Sequence, residues 1–240
     1  AEAVKFHPRV PLIQAIKWHA IYHAAKTGYL LMLAYLHENG YRWSCGVLCA
    51  SARHGHLDCL KYAHENEEKG HPWDPHLCWH AAEEGHLDCL QYAHEHSCPW
   101  DYKTCMAAAR GGQLHCLQYA HEHGCPWDYR TCMAAARGGQ LHCLQYAHEN
   151  GCPWDEDTCW EAARDGQLAC LRYAHENGCE WDKYVCDKAA LRGHLDCLQY
   201  AHENGCPWDE DTCRDAAEGG HLDCLQYLRE NNCPGWEKYV

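Results

Sequence analysis

Three cysteines and one histidine recur at fixed offsets along this chain, and together they make the ligand set of a structural zinc site. Counting back from the C-terminus, the tripeptide Cys-Pro-Trp or a near variant returns at a constant interval, at Cys98, Cys125, Cys152, Cys179, Cys206 and Cys233. A second cysteine follows seven residues later, a third eleven after that, and a histidine five after the third. The unit opening at Cys152 shows the order: Cys152, Cys159, Cys170, His175, and then Cys179 of the next unit.

Grouping each histidine with the three cysteines that follow gives six regular sets. They are His64, His71, Cys78, Cys89; His94, Cys98, Cys105, Cys116; His121, Cys125, Cys132, Cys143; His148, Cys152, Cys159, Cys170; His175, Cys179, Cys186, Cys197; and His202, Cys206, Cys213, Cys224. His71 stands where the other units have cysteine, an exchange that a zinc ligand tolerates and a small apolar packing position does not. An irregular seventh set is His37, Cys45, Cys49 and Cys59, and Cys233 is left over in the unit where Arg229 replaces the histidine. Zinc, one ion per repeat, is the expectation from this accounting, with chelation coupled to unfolding. The grouping is not unique, because the third cysteine taken from the preceding unit also completes six sets. Two other readings stay open. The thiols are buried core residues of small apolar character, or they pair as disulfides between units.

The 21 cysteines in 240 residues suit a secreted disulfide scaffold, but the odd number per unit strands one thiol in any pairing closed within a repeat. No charged-then-apolar leader opens the sequence, which points to reduced thiols and the cytoplasm. The net charge of −14 is spread through every unit and repels a phosphate backbone, so nucleic acid is not the expected partner. The longest apolar run, Tyr29 to Leu36, is far short of a membrane span. No Gly-rich phosphate loop, His-Glu-x-x-His or Gly-x-Ser-x-Gly motif is present, and a Cys-His nucleophile pair does not repeat along a whole chain. The chain is not expected to be an enzyme.

The elements that position these residues are helical. In the Cys152 unit, Asp155 is placed to cap a helix ending near Arg164, Asp165-Gly166 breaks it, and a second helix runs from about Gln167 to Asn177. Leu168, Leu171, Ala174 and His175 fall on one side of that second helix, and Gly178 stops it. Strand alternation is absent, so the fold class is all-α. Gly220-His221-Leu222-Asp223, followed by Cys-Leu-Gln-Tyr-Leu, resembles the second-helix signature of ankyrin repeats, and the Ala162-Ala163 pair matches the alanines of their first helix. The resemblance implies a right-handed solenoid of about seven stacked helix-turn-helix repeats over roughly residues 15–235. The unit falls about six residues short of the ankyrin length of roughly 33, and the missing segment lies where ankyrin repeats build their β-hairpin. We expect an N-terminal helical cap at 1–40, with Ile21 and Met32 at cysteine positions, a repeat array at 41–232 and a C-terminal tail at 233–240.

Comparing the units with one another separates a constant frame from variable positions. Variation gathers after Trp-Asp and around the second cysteine: Trp79; Tyr102, Lys103, Met106; Tyr129, Arg130, Met133; Trp160; Tyr184; Arg214. In an ankyrin-like stack these lie on the concave side, and Tyr, Trp, Met and Arg favour protein interfaces. The function expected is a non-enzymatic protein–protein interaction or scaffold module held by per-repeat Cys3His zinc. The alternatives are a metal-storage or buffering protein, and a disulfide-linked structural protein that assembles end to end.

Overall fold

The computed structural model describes residues 9–66, 73–74 and 76–239, with side chains described from Trp18 onward. His71 therefore lies outside the described residues. Sixteen α-helices and one closing 3₁₀ turn make up the described secondary structure, and no strand occurs among the described residues. The helices come in hairpins: α1 (Arg9–Thr27) with α2 (Leu30–Glu38), α3 (Cys45–Arg53) with α4 (Leu57–Glu65), and α5 (His76–Glu84) with α6 (Leu87–Glu95). The series continues with α7 (Tyr102–Arg110) and α8 (Leu114–Glu122), α9 (Tyr129–Arg137) and α10 (Leu141–Glu149), then α11 (Glu156–Arg164) and α12 (Leu168–Glu176). It ends with α13 (Lys183–Arg192) and α14 (Leu195–Glu203), α15 (Glu210–Gly219) and α16 (Leu222–Glu230), and the turn Trp236–Tyr239.

The caps follow from the sequence. Asp101, Asp128, Asp182 and Asp209 sit in extended backbone before their helices, and each carboxylate accepts the amide two residues on. Helix α11 ends at Arg164 with Asp165 as its C-cap, after which Gly166 takes φ +71°, a left-handed conformation that side chains resist. The Gln167 amide then donates back to the Ala162 carbonyl at 2.8 Å, so three residues, Asp165 to Gln167, suffice to reverse the chain into α12.

Each hairpin is too thin to hold a core by itself. Cys159, Ala162 and Ala163 of α11 and Cys170, Leu171 and Ala174 of α12 are all 0% exposed. Small residues let the helices approach closely, and the leucine fills the centre. The chain divides into two compact units, Ala1–Trp100 and Asp101–Val240. In the first, α1, α3 and α5 pack side by side in one layer and α2, α4 and α6 in another. In the second, α7, α9, α11, α13 and α15 form one layer, and α8, α10, α12, α14 and α16 the other. The all-helical expectation holds, with neighbour-to-neighbour stacking inside each unit.

Candidate functional site

The repeat histidines face aromatic rings. His148, at the end of α10, lies flat on Trp154 with ring centroids 3.7 Å apart at 11°. Its Nδ1 shares a hydrogen bond of 3.0 Å with the hydroxyl of Tyr173, 25 residues further on. His121 with Trp127 and Tyr146, His175 with Trp181 and Tyr200, and His202 with Trp208 and Tyr227 repeat the arrangement. In the first unit His37 bonds Tyr62 at 3.1 Å and His64 bonds Tyr92 at 2.9 Å, while His94 stacks on Trp100 at 3.8 Å. A half-buried imidazole needs a polar partner, and the next repeat's phenol supplies it. Burial holds His64 and His202 below the usual histidine range.

The three cysteines of a repeat go to three different places. The first points back one repeat: the thiols of Cys125, Cys152, Cys179 and Cys206 donate to the carbonyls of Asp101, Asp128, Asp155 and Asp182 at 3.1–3.2 Å. The second lies against the first cysteine of the following repeat, 20 residues on. Cys105 Sγ is 3.9 Å from the Cys125 carbonyl and Cys132 Sγ 3.9 Å from that of Cys152, and in each pair the side chains interact. The third, at Cys116, Cys143, Cys170 and Cys197, sits in the second-helix layer.

The structure therefore brings together thiol pairs such as Cys159–Cys179 and Cys186–Cys206, each drawn from two consecutive sequence sets. It does not bring His175, Cys179, Cys186 and Cys197 to one point. Among the described residues no group of three or more His, Cys, Asp or Glu side chains forms a metal cage. In the irregular set, Cys49 interacts with Cys45 and with the Asp74 carboxylate, while His37 turns to Trp43 and Tyr62. All cysteines are free thiols, so the disulfide-linked alternative is not what this arrangement contains. Burial pushes Cys143 and Cys224 up to about 11 and Cys170 up to about 12. Burial beside Asp88 and Asp196 raises Cys89 and Cys197 to about 12. These thiols are held neutral, the opposite of an activated nucleophile.

The variable residues lie on the first helices. Tyr102, Lys103 and Met106 are on α7, Tyr129, Arg130 and Met133 on α9, Trp160 on α11, Tyr184 on α13 and Arg214 on α15. Contacts run from helix to helix: the Arg130 guanidinium sits 4.8 Å over the Tyr102 ring, and Lys183 bonds Asp209 and Asp211 at 2.7 and 2.9 Å. Between α11 and α13, Glu156, Asp157, Trp160, Asp182, Tyr184 and Lys188 line a cleft of about 270 Å³. Trp79, on α5 of the first unit, stacks on His80 at 4.6 Å and keeps its indole nitrogen buried without a hydrogen-bond partner among the described residues.

The sequence reading missed the tyrosines. Tyr146, Tyr173, Tyr200 and Tyr227 complete the histidine sites, and their signal was a constant offset of 25 residues from histidine. It also missed the arginines closing the first helices, of which Arg137, Arg164 and Arg192 line a second groove of about 540 Å³ with Asp165 and His194.

No family model matches the sequence, and no curated protein matches it either. Among solved structures, the ankyrin repeat domain of human ASB11 superposes with a TM-score of 0.55, covering 67% of this chain and 84% of that one at 16% identity. The fold is ankyrin-like. Its ankyrin-like repeats are short because helix α11 starts directly after Trp154-Asp155, leaving no segment for a projecting hairpin.

Proposed function

We propose that this chain is a non-enzymatic protein-interaction module whose contact surface is the row of first helices in the Asp101–Val240 unit. One observation carries the reading. Helices α7, α9, α11, α13 and α15 pack as consecutive neighbours, so the side chains that vary between repeats stand in one row on a frame that does not vary. Aromatic, methionine and arginine side chains supply the contact chemistry there, and acidic residues around Trp160 and Tyr184 favour a partner with basic side chains. A pull-down with the full chain, beside a variant carrying Tyr102, Tyr129, Trp160 and Tyr184 changed to Ala, tests this. Loss of the bound partners supports the surface, and retention of every partner removes it.

Structural zinc is the second reading, favoured by the thiol pairs, which place two soft ligands together at regular junctions. It requires the imidazole to leave its tryptophan and tyrosine. Native mass spectrometry with elemental analysis, on protein prepared without chelator, decides between six or seven bound ions and a metal-free chain with titratable thiols.

A further inference from the structure

The first helices of the Asp101–Val240 unit stand as consecutive neighbours, so equivalent positions can be compared from one junction to the next. Between α7 and α9 each helix offers a ring, Tyr102 and Tyr129. The guanidinium of Arg130 sits over both, 4.8 Å from the first and 5.5 Å from the second. Between α13 and α15 the groups on offer are carboxylates. The Lys183 ammonium donates to Asp209 at 2.7 Å and Asp211 at 2.9 Å, and lies 5.9 Å from the Tyr184 ring. At both junctions the chain closes a cluster of rings or carboxylates with a cation of its own.

The junction between α11 and α13 carries both kinds of group. Trp160 of α11 and Tyr184 of α13 line the cleft of about 270 Å³ with Glu156, Asp157 and Asp182, and Tyr184 is 53% exposed. By repeat position Lys183 corresponds to Glu156 here, and Arg130 corresponds to Tyr184. The two positions that supply cations at the other junctions are therefore an acid and a ring at this one. Lys188 is the single ammonium among the lining residues, against three carboxylates, and its charge also acts on Asp215 of α15. Trp160 accepts a guanidinium, because Arg164, one turn along α11, lies 5.1 Å from its ring. Arg164 does not itself line the cleft.

We infer that this cleft is a binding site for an arginine side chain of the partner, whose guanidinium takes the place that the chain's own cations fill at the other two junctions. Arginine fits better than lysine. Its planar, weakly hydrated head stacks on aromatic rings while its N–H groups reach carboxylates at the rim, and both cations found over paired or single rings of α7, α9 and α11 are guanidinia. The inference rests on the row of first helices being the contact surface, and adds the group that the surface recognises.

The test uses the full chain, labelled with ¹⁵N and kept reduced. It is titrated with N-acetyl-arginine amide and followed by NMR at the Trp160 indole N–H, which Trp160→Phe assigns. N-acetyl-citrulline amide, neutral and close in shape, is the comparison. Saturable binding at about 1 mM is expected for the arginine compound, with the citrulline compound about tenfold weaker or more. Glu156→Lys gives this junction the residue that Lys183 supplies at the next, and should weaken binding about tenfold by filling the cleft from within. Tyr184→Leu should weaken it roughly two- to fivefold through the lost ring. Asp223→Lys makes the same change of charge on α16 and should leave binding within about twofold. All three positions are exposed, so each variant should fold as the parent does. No saturable binding, equal binding of the two compounds, indifference to Glu156→Lys, or an equal loss in Asp223→Lys would each overturn the inference. The probe is read on the chain alone, so its failure strikes this cleft and leaves the pull-down result standing. Survival of every partner in the four-alanine variant strikes the wider surface whatever the probe does.

Discussion

His148 lies on Trp154 at 3.7 Å and 11°, whereas His37 meets Trp43 at 4.4 Å and 49°. In both cases the tryptophan stands six positions after the histidine, and Glu-Asn-Gly follows the histidine. The segments differ only next to the tryptophan, where Cys152-Pro153 stands in one and Tyr41-Arg42 in the other. Proline is not the cause, because Cys179-Glu180-Trp181 still gives a flat stack at 10°. Cysteine is common to the flat stacks: Cys152 and Cys179 are 3% and 4% exposed, and each thiol donates to a carbonyl one repeat back. A small side chain fits that slot and holds the connector down, which sets the tryptophan under the imidazole. Tyr41 is too large for it. At His64, Trp73 is also tilted, at 30°. The cysteine thus builds the histidine's site without touching its ring.

The strongest way to break both junction types at once is alkali. Cys89, Cys143, Cys170, Cys197 and Cys224 are held near 11 to 12, whereas unfolded thiols ionise near 9. The unfolded chain therefore releases protons first, so the stability these thiols contribute is whole below pH 9 and is lost as pH rises toward 11 and 12. Each tenfold difference in a thiol's acidity between folded and unfolded chain is worth roughly 1.4 kcal/mol. Summed over several sites, this loss should unfold the chain cooperatively above about pH 9–10. Circular dichroism against pH checks it, and helicity unchanged at pH 11 contradicts it.

Next in size is Cys152→Tyr, which gives a regular junction the first junction's residue. Forcing a phenol into a sealed slot should cost about 1–3 kcal/mol and tilt Trp154, read by denaturant melts and near-ultraviolet dichroism. His148→Ala removes a flat stack and leaves the Tyr173 hydroxyl without its partner, for about 1–2 kcal/mol. His37→Ala should cost less, because its ring is tilted, and equal losses would show that stacking geometry contributes nothing. Tyr41→Cys is the smallest change expected, a gain within about 0.5 kcal/mol with Trp43 moving toward the flat arrangement.

Much of the fold is legible in local sequence. Asp155, Asp165-Gly166 and Gly178 marked the ends of α11 and α12 to within a residue or two, because helix-end residue preference and left-handed glycine are local chemistry. Asp155 holds the N-cap position in extended backbone, but its carboxylate makes no capping hydrogen bond, unlike Asp101, Asp128, Asp182 and Asp209. The expectation of a polar or capped first repeat did not anticipate Met32 and Leu31 standing in solvent. Burial there depends on what lies against the helix, and a cysteine-equivalent position reads the same either way. Four ligands per set is likewise a count that discriminates little. In a perfect repeat any residue type balances against any other. The same count fits a Cys3His cage, a thiol pair such as Cys132 with Cys152, or a histidine–tyrosine bond such as His148 with Tyr173.

The sequence by itself determined the period, the all-helical hairpins and the turns between them, since each rests on residues a few positions apart. Tertiary structure alone decided which repeat's side chain meets which. His175 turns to Tyr200 and Trp181 while Cys179 turns back to Cys159 and the Asp155 carbonyl. Those choices rest on how one hairpin settles on the next, where a sealed slot takes a thiol and a half-open edge takes two rings and a hydroxyl.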